Sequence, residues 1–234
     1  MRFNILIMDR LVSNFKISVQ ESIYNKDPES SDLGKRIIEH SIKLIDKIGF
    51  DAFTFKKLGA EIGSNESSVY RYFDNKHKLL IYLSSWYWAW LEYQLVIETH
   101  SITNPVEKLK KAIEITTKSV KEDSKHTHIN EVTLNRIIIE ENSKSFLTKE
   151  VDKENQEGYF KVYKRLITRL KEMILQIDVD YIYATSLAST IIETALHQHF
   201  LHNHFPSITD CKKDTTPAQF LTDLVFRILN AKKI

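Results

Sequence analysis

Cysteine is almost missing from this chain, with Cys211 the single one in 234 residues. An internal disulfide is therefore impossible, the fold must rest on its packed core, and a reducing cytoplasm is the expected compartment. Glycine and proline are scarce as well, at 5 and 4. That scarcity disfavours β-rich folds with their many sharp turns and favours long helices. No apolar run approaches the ~18 residues of a membrane span, so no membrane partner is expected. The opening RFNILIM is too short for a signal peptide and has no small-residue cleavage site, and Met8 behind it offers a second translation start. A Gly-rich phosphate loop, a nucleophile elbow and a zinc motif are all missing, so neither an enzyme nor a cofactor is expected. Neither sign of charge dominates: the net charge is +2, and only a local basic patch could speak for a nucleic acid.

What is present is a 42% apolar composition, enough for a real core in one large or two smaller domains. The most informative stretch runs from Gly49 to Leu80, GFDAFTFKKLGAEIGSNESSVYRYFDNKHKLL. Phe55, Leu58 and Ile62 share one helical face that Thr54 can cap, and Gly63 follows where the chain must turn. Asn65 is a favourable cap for a second helix, with Val69, Tyr72 and Phe73 available to anchor it and Glu66, Ser67, Ser68 and Arg71 left outside. Two short helices meeting at a turn, the second polar on its outer face, is the layout of a helix-turn-helix that enters the DNA major groove. Between Lys35 and Lys78 nine basic residues stand against six acidic ones, a modest excess in the right place.

The string from Lys35 to Leu83 resembles the DNA-binding domain of the tetracycline-repressor (TetR) family, agreeing in register at Gly49-Phe50, Thr54, Leu58, Gly63, Val69-Tyr70, Tyr72-Phe73, Lys76 and Leu79. The resemblance implies an all-α chain: an extra N-terminal amphipathic segment (1–30), a three-helix DNA-binding domain (31–76), and a helical ligand-binding and dimerisation domain (77–234). It implies a transcriptional regulator, a ligand-responsive repressor, that binds a palindromic double-stranded DNA operator as a homodimer through its last two helices. By position, Glu66, Ser67, Ser68, Arg71 and Tyr72 would face bases and Thr54, Tyr70 and Lys76 phosphates. Lys35 and Arg36, at the start of the preceding helix, could also reach a phosphate. Glu66 departs from the family, whose members often carry a neutral or basic residue there. It could accept from cytosine N4 or complement the helix dipole.

Along the rest of the chain, Leu11, Phe15, Val19 and Ile23 recur every four residues, which predicts a helix over 9–24. Pro28 breaks a linker over 25–31, and Ile37, Ile38, Ser41, Ile42, Leu44, Ile45 and Ile48 mark a supporting helix ending at Gly49. Further helices are expected at about 76–99, 106–121, 129–141, 149–177 with a possible break at Gly158, 180–204 and 217–232. The 76–99 helix is rich in aromatics. Tyr82, Trp86, Trp90 and Tyr93 lie on one side of it, either as core or as the wall of a cavity for a small apolar or aromatic ligand. His197, His199, His202 and His204 invite a metal, but none stands at the i+4 spacing that grips one ion, so no metal is assigned. A metal-responsive sensor and a dimeric helical scaffold remain as alternatives.

Overall fold

A computed structural model describes residues 17–118, 120, 128–212 and 215–230. Among them are ten α-helices, four short 3-10 turns and no β-strand. The first helix, α1 (Asp32–Ala52), starts where the Ser31 hydroxyl accepts from the Gly34 N–H at 3.2 Å, and it buries Ile37, Ile38, Ser41, Ile42 and Ile45. Its regular path breaks at Gly49, where φ is +75°, a value that other residues rarely adopt. The break swings Phe50 inward and leaves backbone groups that no helical ladder satisfies. Two short helices follow, α2 (Phe55–Glu61) and α3 (Glu66–Tyr70). Together the three make a head around Ile38, Phe53, Leu58, Val69 and Phe73, all fully buried.

Helix α4 (Lys76–Thr99) joins this head to the body. With 24 residues it is about 36 Å long. It is buried without interruption from Leu79 to Glu92, the mark of a helix that is core on every side. Against it pack α5 (Pro105–Thr117), α6 (Glu131–Glu141) and α8 (Lys161–Leu175), and on these in turn pack α9 (Ala184–His204) and α10 (Pro217–Asn230). The helix expected over 149–177 is two: α7 (Val151–Gln156) and α8 are separated at Gly158, where φ is +87°. Helix α5 ends at Thr117, short of the expected 121, and most of the residues beyond lie outside those described.

The N-terminal segment departs from the helix expected over 9–24. Residues 9–16 lie outside those described, and 17–24 form an extended strap with a single 3-10 turn, Glu21–Ile23, instead of a helix. Ile17 and Val19 alternate inward two residues apart, and Ile23 is fully buried, so the apolar spacing serves an extended path as well as a helical one. The strap crosses both parts of the molecule. The Asn25 N–H donates to the Tyr72 carbonyl at 2.8 Å, and the Tyr159 hydroxyl donates to the Ser22 carbonyl at 3.1 Å.

Two charged contacts hold the long helix in place. The Lys76 ammonium donates to the carbonyls of Phe50, Asp51 and Phe53 at 2.9, 3.0 and 3.2 Å, which satisfies the carbonyls stranded after the Gly49 break. Glu92, buried inside the body, accepts from Arg165 Nε at 2.7 Å and from Arg169 Nε at 2.6 Å. Burial works to raise the Glu92 pKa, but the hydrogen bonds and charges of the two arginines outweigh it and hold the carboxyl below its ordinary range. Lys76→Ala should lower stability by about 1–3 kcal/mol, read from denaturant unfolding. Replacing Arg165 and Arg169 together by Ala should cost on the order of 3 kcal/mol at neutral pH, because Glu92 is left buried and unpaired. That cost should shrink as the pH falls through the Glu92 pKa, since a protonated carboxyl needs no cation.

Candidate nucleic-acid interface and ligand cavity

The outer face of the head is built from two capped helix starts. The Thr54 hydroxyl accepts from the Lys57 N–H at 3.2 Å to open α2. The Asn65 side-chain oxygen accepts from the Ser68 N–H at 2.9 Å and from the hydroxyls of Ser67 and Ser68 at 3.0 and 2.9 Å to open α3. With their protons committed inward, the two serines present acceptor lone pairs outward. Val69 and Phe73 are fully buried behind them. Thr54, Glu66, Ser67 and Arg71 are exposed, and Tyr70 is 49% exposed with its ring edge-on to Phe55 at 5.0 Å. Arg71 makes no ion pair or hydrogen bond through its side chain among the described residues, so its forked donors face solvent. Arg36 is exposed and touches the Ile62 carbonyl at 3.4 Å, while Lys35 and Ser68 are half-buried.

Two of the ten expected DNA-facing residues point elsewhere. Tyr72 is 2% exposed and its hydroxyl shares a 2.7 Å hydrogen bond with the Ser31 hydroxyl, so it packs the head against the start of α1 and does not face a base. Lys76 spends its three N–H donors on the carbonyls after α1, so the side chain expected to meet phosphate is a brace inside the protein. In both cases residue type and register suited a contact, but only the fold shows which way the side chain turns.

The body contains a cavity of about 530 Å³ between α4, the 3-10 turn Asn142–Ser145, α7, α8 and α9. The α4 residues on its wall are Ile81, Ser84, Ser85 and Trp88, at i, i+3, i+4 and i+7. The stripe expected from sequence, Tyr82, Trp86, Trp90 and Tyr93, does not line it. Tyr82 instead packs on Phe73 and Tyr24 at 5.4 and 6.0 Å, joining head, body and strap. Because α4 is apolar on all sides, an aromatic stripe could not show which side borders empty space. Opposite α4 stand Phe146, Val151, Tyr159, Phe160 and Tyr163. Trp88 and Tyr163 lie 5.2 Å apart between ring centres. The Tyr163 hydroxyl donates to the Glu193 carboxylate, and burial first, then that hydrogen bond, pushes its pKa far up so that it stays protonated. Lys164, also on the wall, donates to the Asn155 side-chain oxygen.

The four histidines serve packing and hydrogen bonding. His199 Nε2 lies 2.9 Å from the Thr117 carbonyl and His202 Nδ1 2.8 Å from the Cys211 carbonyl, while His197 and His204 lie against Phe200. Among the described residues no three His, Cys, Asp or Glu side chains converge, and no helix is long and apolar enough to cross a membrane.

Comparison with known proteins adds to this geometry. The family model described as bacterial regulatory proteins, tetR family, matches residues 37–83. A search of curated proteins finds no match. Among solved structures, AibR in complex with isovaleryl coenzyme A and operator DNA is 19% identical with a TM-score of 0.51, over 83% of this chain and 97% of that one. The fatty acid degradation regulator FadR from Bacillus halodurans is 18% identical with a TM-score of 0.53, over 83% and 92%. The superantigen PfiT is 14% identical with a TM-score of 0.56, over 86% and 97%. At such identities the likeness establishes the fold alone, and the differing descriptions of these proteins show that it fixes no ligand. The match over 37–83 spans the end-of-α1 break, both short helices and the start of α4, so this segment is similar to the tetR family of bacterial regulatory proteins, while the rest of the chain shares the fold of the solved structures.

Proposed function

We propose that this chain is a ligand-responsive transcriptional repressor, residing in the cytoplasm, that binds a palindromic operator as a homodimer. The DNA-binding unit would be 31–76 and the ligand-binding and dimerisation unit 77–234. One observation carries the ligand-responsive part: the turn that walls the cavity is the continuation of the segment that grips the head. Asn142, Ser145 and Phe146 line the cavity. Glu141 accepts from the Phe50 N–H at 3.1 Å, Lys144 meets Asp51 at 2.8 Å, and Arg136 pairs with Asp46 through two bonds of 2.9 and 3.0 Å. All three partners lie at the end of α1, on either side of the Gly49 break. A ligand that moves the turn therefore moves the end of α1. If its affinity differs between the two positions of the head, it shifts DNA affinity, and operator DNA shifts ligand affinity in return.

Exposed Thr54, Glu66, Ser67, Tyr70 and Arg71 supply the operator-facing surface, with Arg36, Lys35 and half-buried Ser68 beside it. Helices α9 and α10 supply the dimer face in this reading. Phe220 is 38% exposed, and Leu196, Leu224, Phe226 and Ile228 are only partly covered within one chain, as a self-complementary two-fold contact requires. AibR, solved with both isovaleryl coenzyme A and operator DNA, supports the pairing of the two functions on one architecture. Exposed Glu66 favours a second reading, a dimeric scaffold that has lost DNA binding, since a carboxylate here repels phosphate.

Rounds of selection from a random DNA pool separate the two readings. Enrichment of a palindrome is expected, and its absence would overturn the repressor reading. Arg71→Ala should relax discrimination at one operator position by about 1–3 kcal/mol without changing thermal stability. Lys144→Ala should leave both binding activities in place yet weaken the coupling between ligand and operator by about 0.5–2 kcal/mol, measured by titrating operator with and without a cavity ligand.

A further inference from the structure

The polar groups of the cavity divide into two sets. Lys164 and Glu193 are exposed at its rim, opposite in sign, each engaged by a neighbour, Lys164 by Asn155 and Glu193 by Tyr163. The inner wall carries no charged side chain. Besides Tyr159, whose hydroxyl is spent on the Ser22 carbonyl, its small polar side chains are Ser84, Ser85, Asn142 and Ser145, exposed by 4, 5, 6 and 3%. Two of these are already engaged: Ser85 donates to the Tyr159 carbonyl and Ser145 to the Asn142 carbonyl. Ser84 is not, since its hydroxyl is fully buried with no hydrogen-bond partner. Nor is the Asn142 carboxamide, which makes no side-chain hydrogen bond among the described residues while it lines the cavity. Buried polar groups are rarely left without partners, because the loss costs about 1–3 kcal/mol for each.

We propose that Ser84 and Asn142 form a recognition pair for a mostly apolar, uncharged ligand that carries a neutral oxygen function, a ketone or a hydroxyl. This names the ligand class of the regulator proposed above and rests on that reading. Asn142 can donate through its amide NH₂ and accept through its oxygen, and Ser84 can do either once rotation about its Cα–Cβ bond turns its shielded hydroxyl into the cavity, so a single carbonyl or alcohol satisfies both. Ile81, Trp88, Phe146 and Phe160 hold the apolar remainder. A carboxylate or ammonium on the inner wall would meet no opposite charge, and burying an unpaired charge costs far more than two neutral hydrogen bonds return. At the rim the opposite signs of Lys164 and Glu193 leave no net attraction for an ion of either sign. Asn142 also directly follows Glu141, the residue that holds the Phe50 N–H, so the group that would bind the ligand's oxygen sits beside the one that grips the head.

The test is a tryptophan-fluorescence titration of the full chain with two matched series. One is a chain skeleton (decan-2-one, decanoate and decyltrimethylammonium), the other a ring skeleton (2-decalone and decalin-2-carboxylate). In at least one series the ketone should bind tenfold or more tightly than its charged counterparts. Ser84→Ala and Asn142→Leu should each reduce ketone affinity about tenfold, equal to 1.4 kcal/mol, with unfolding midpoints close to wild type to show that the cavity is intact. Equal or tighter binding of a charged probe would overturn the inference in favour of a rim-anchored ion. Failure of every probe, or ketone binding insensitive to both substitutions, would overturn it as well. If those failures occur while a palindrome is still enriched from the DNA pool, the ligand class is wrong and the DNA-binding reading stands. If no DNA is enriched, the regulator reading itself has failed.

Discussion

The molecule depends on how the end of its first helix is held. The break at Gly49 releases the chain from the α-helical ladder inside a buried setting, so the Phe50 N–H and the carbonyls of Asp51 and Phe53 need partners from elsewhere, while the Phe50 carbonyl keeps a local one, the Phe53 N–H at 3.3 Å. A glutamate from the body takes the N–H and a lysine from the long helix takes the carbonyls. The short α2 and α3 are too small to be stable by themselves. They keep their form because the corner that precedes them is fixed from both sides, with the buried Phe53, Leu58, Val69 and Phe73 closing the head beneath. Through the same corner the head inherits any displacement of the body.

Much of this architecture was legible in the sequence. The caps at Thr54 and Asn65, the turn after Ile62 and the apolar faces of α1 and α2 depend on residue type at fixed short spacings, and the structure has them in those roles. The limits of α4 were legible as well, through its long apolar, aromatic-rich run. The strap was misread because apolar residues four apart also satisfy an extended chain that buries every second residue. Only contacts distant in sequence, such as Asn25 to Tyr72, decide between the two paths.

The sites show the same division more sharply. Glu66, Ser67 and Arg71 reach the surface because a five-residue helix anchored at Val69 has little choice of face. Lys76 and Tyr72 look equally suited to DNA by residue type, but each has a stronger local claim on it, from orphaned carbonyls and from a serine hydroxyl. The cavity was hardest to foresee. A void has no sequence pattern of its own, and α4 offers aromatics on every side. The useful signal was the small polar pair Ser84-Ser85 in an otherwise bulky run, since small side chains on one face of a core helix leave room that neighbours must fill or leave empty.

The strap joins the ends of very long loops. Ser22 meets Tyr159 across 137 residues and Asn25 meets Asp74 across 49. Closing such loops in an unfolded chain is entropically unfavourable, while contacts within helix pairs form over short spans. The strap therefore lies on surfaces that both head and body must supply. Its Ser22 carbonyl anchors a tyrosine of the cavity wall, so the shape of that wall depends on a segment more than a hundred residues away in sequence.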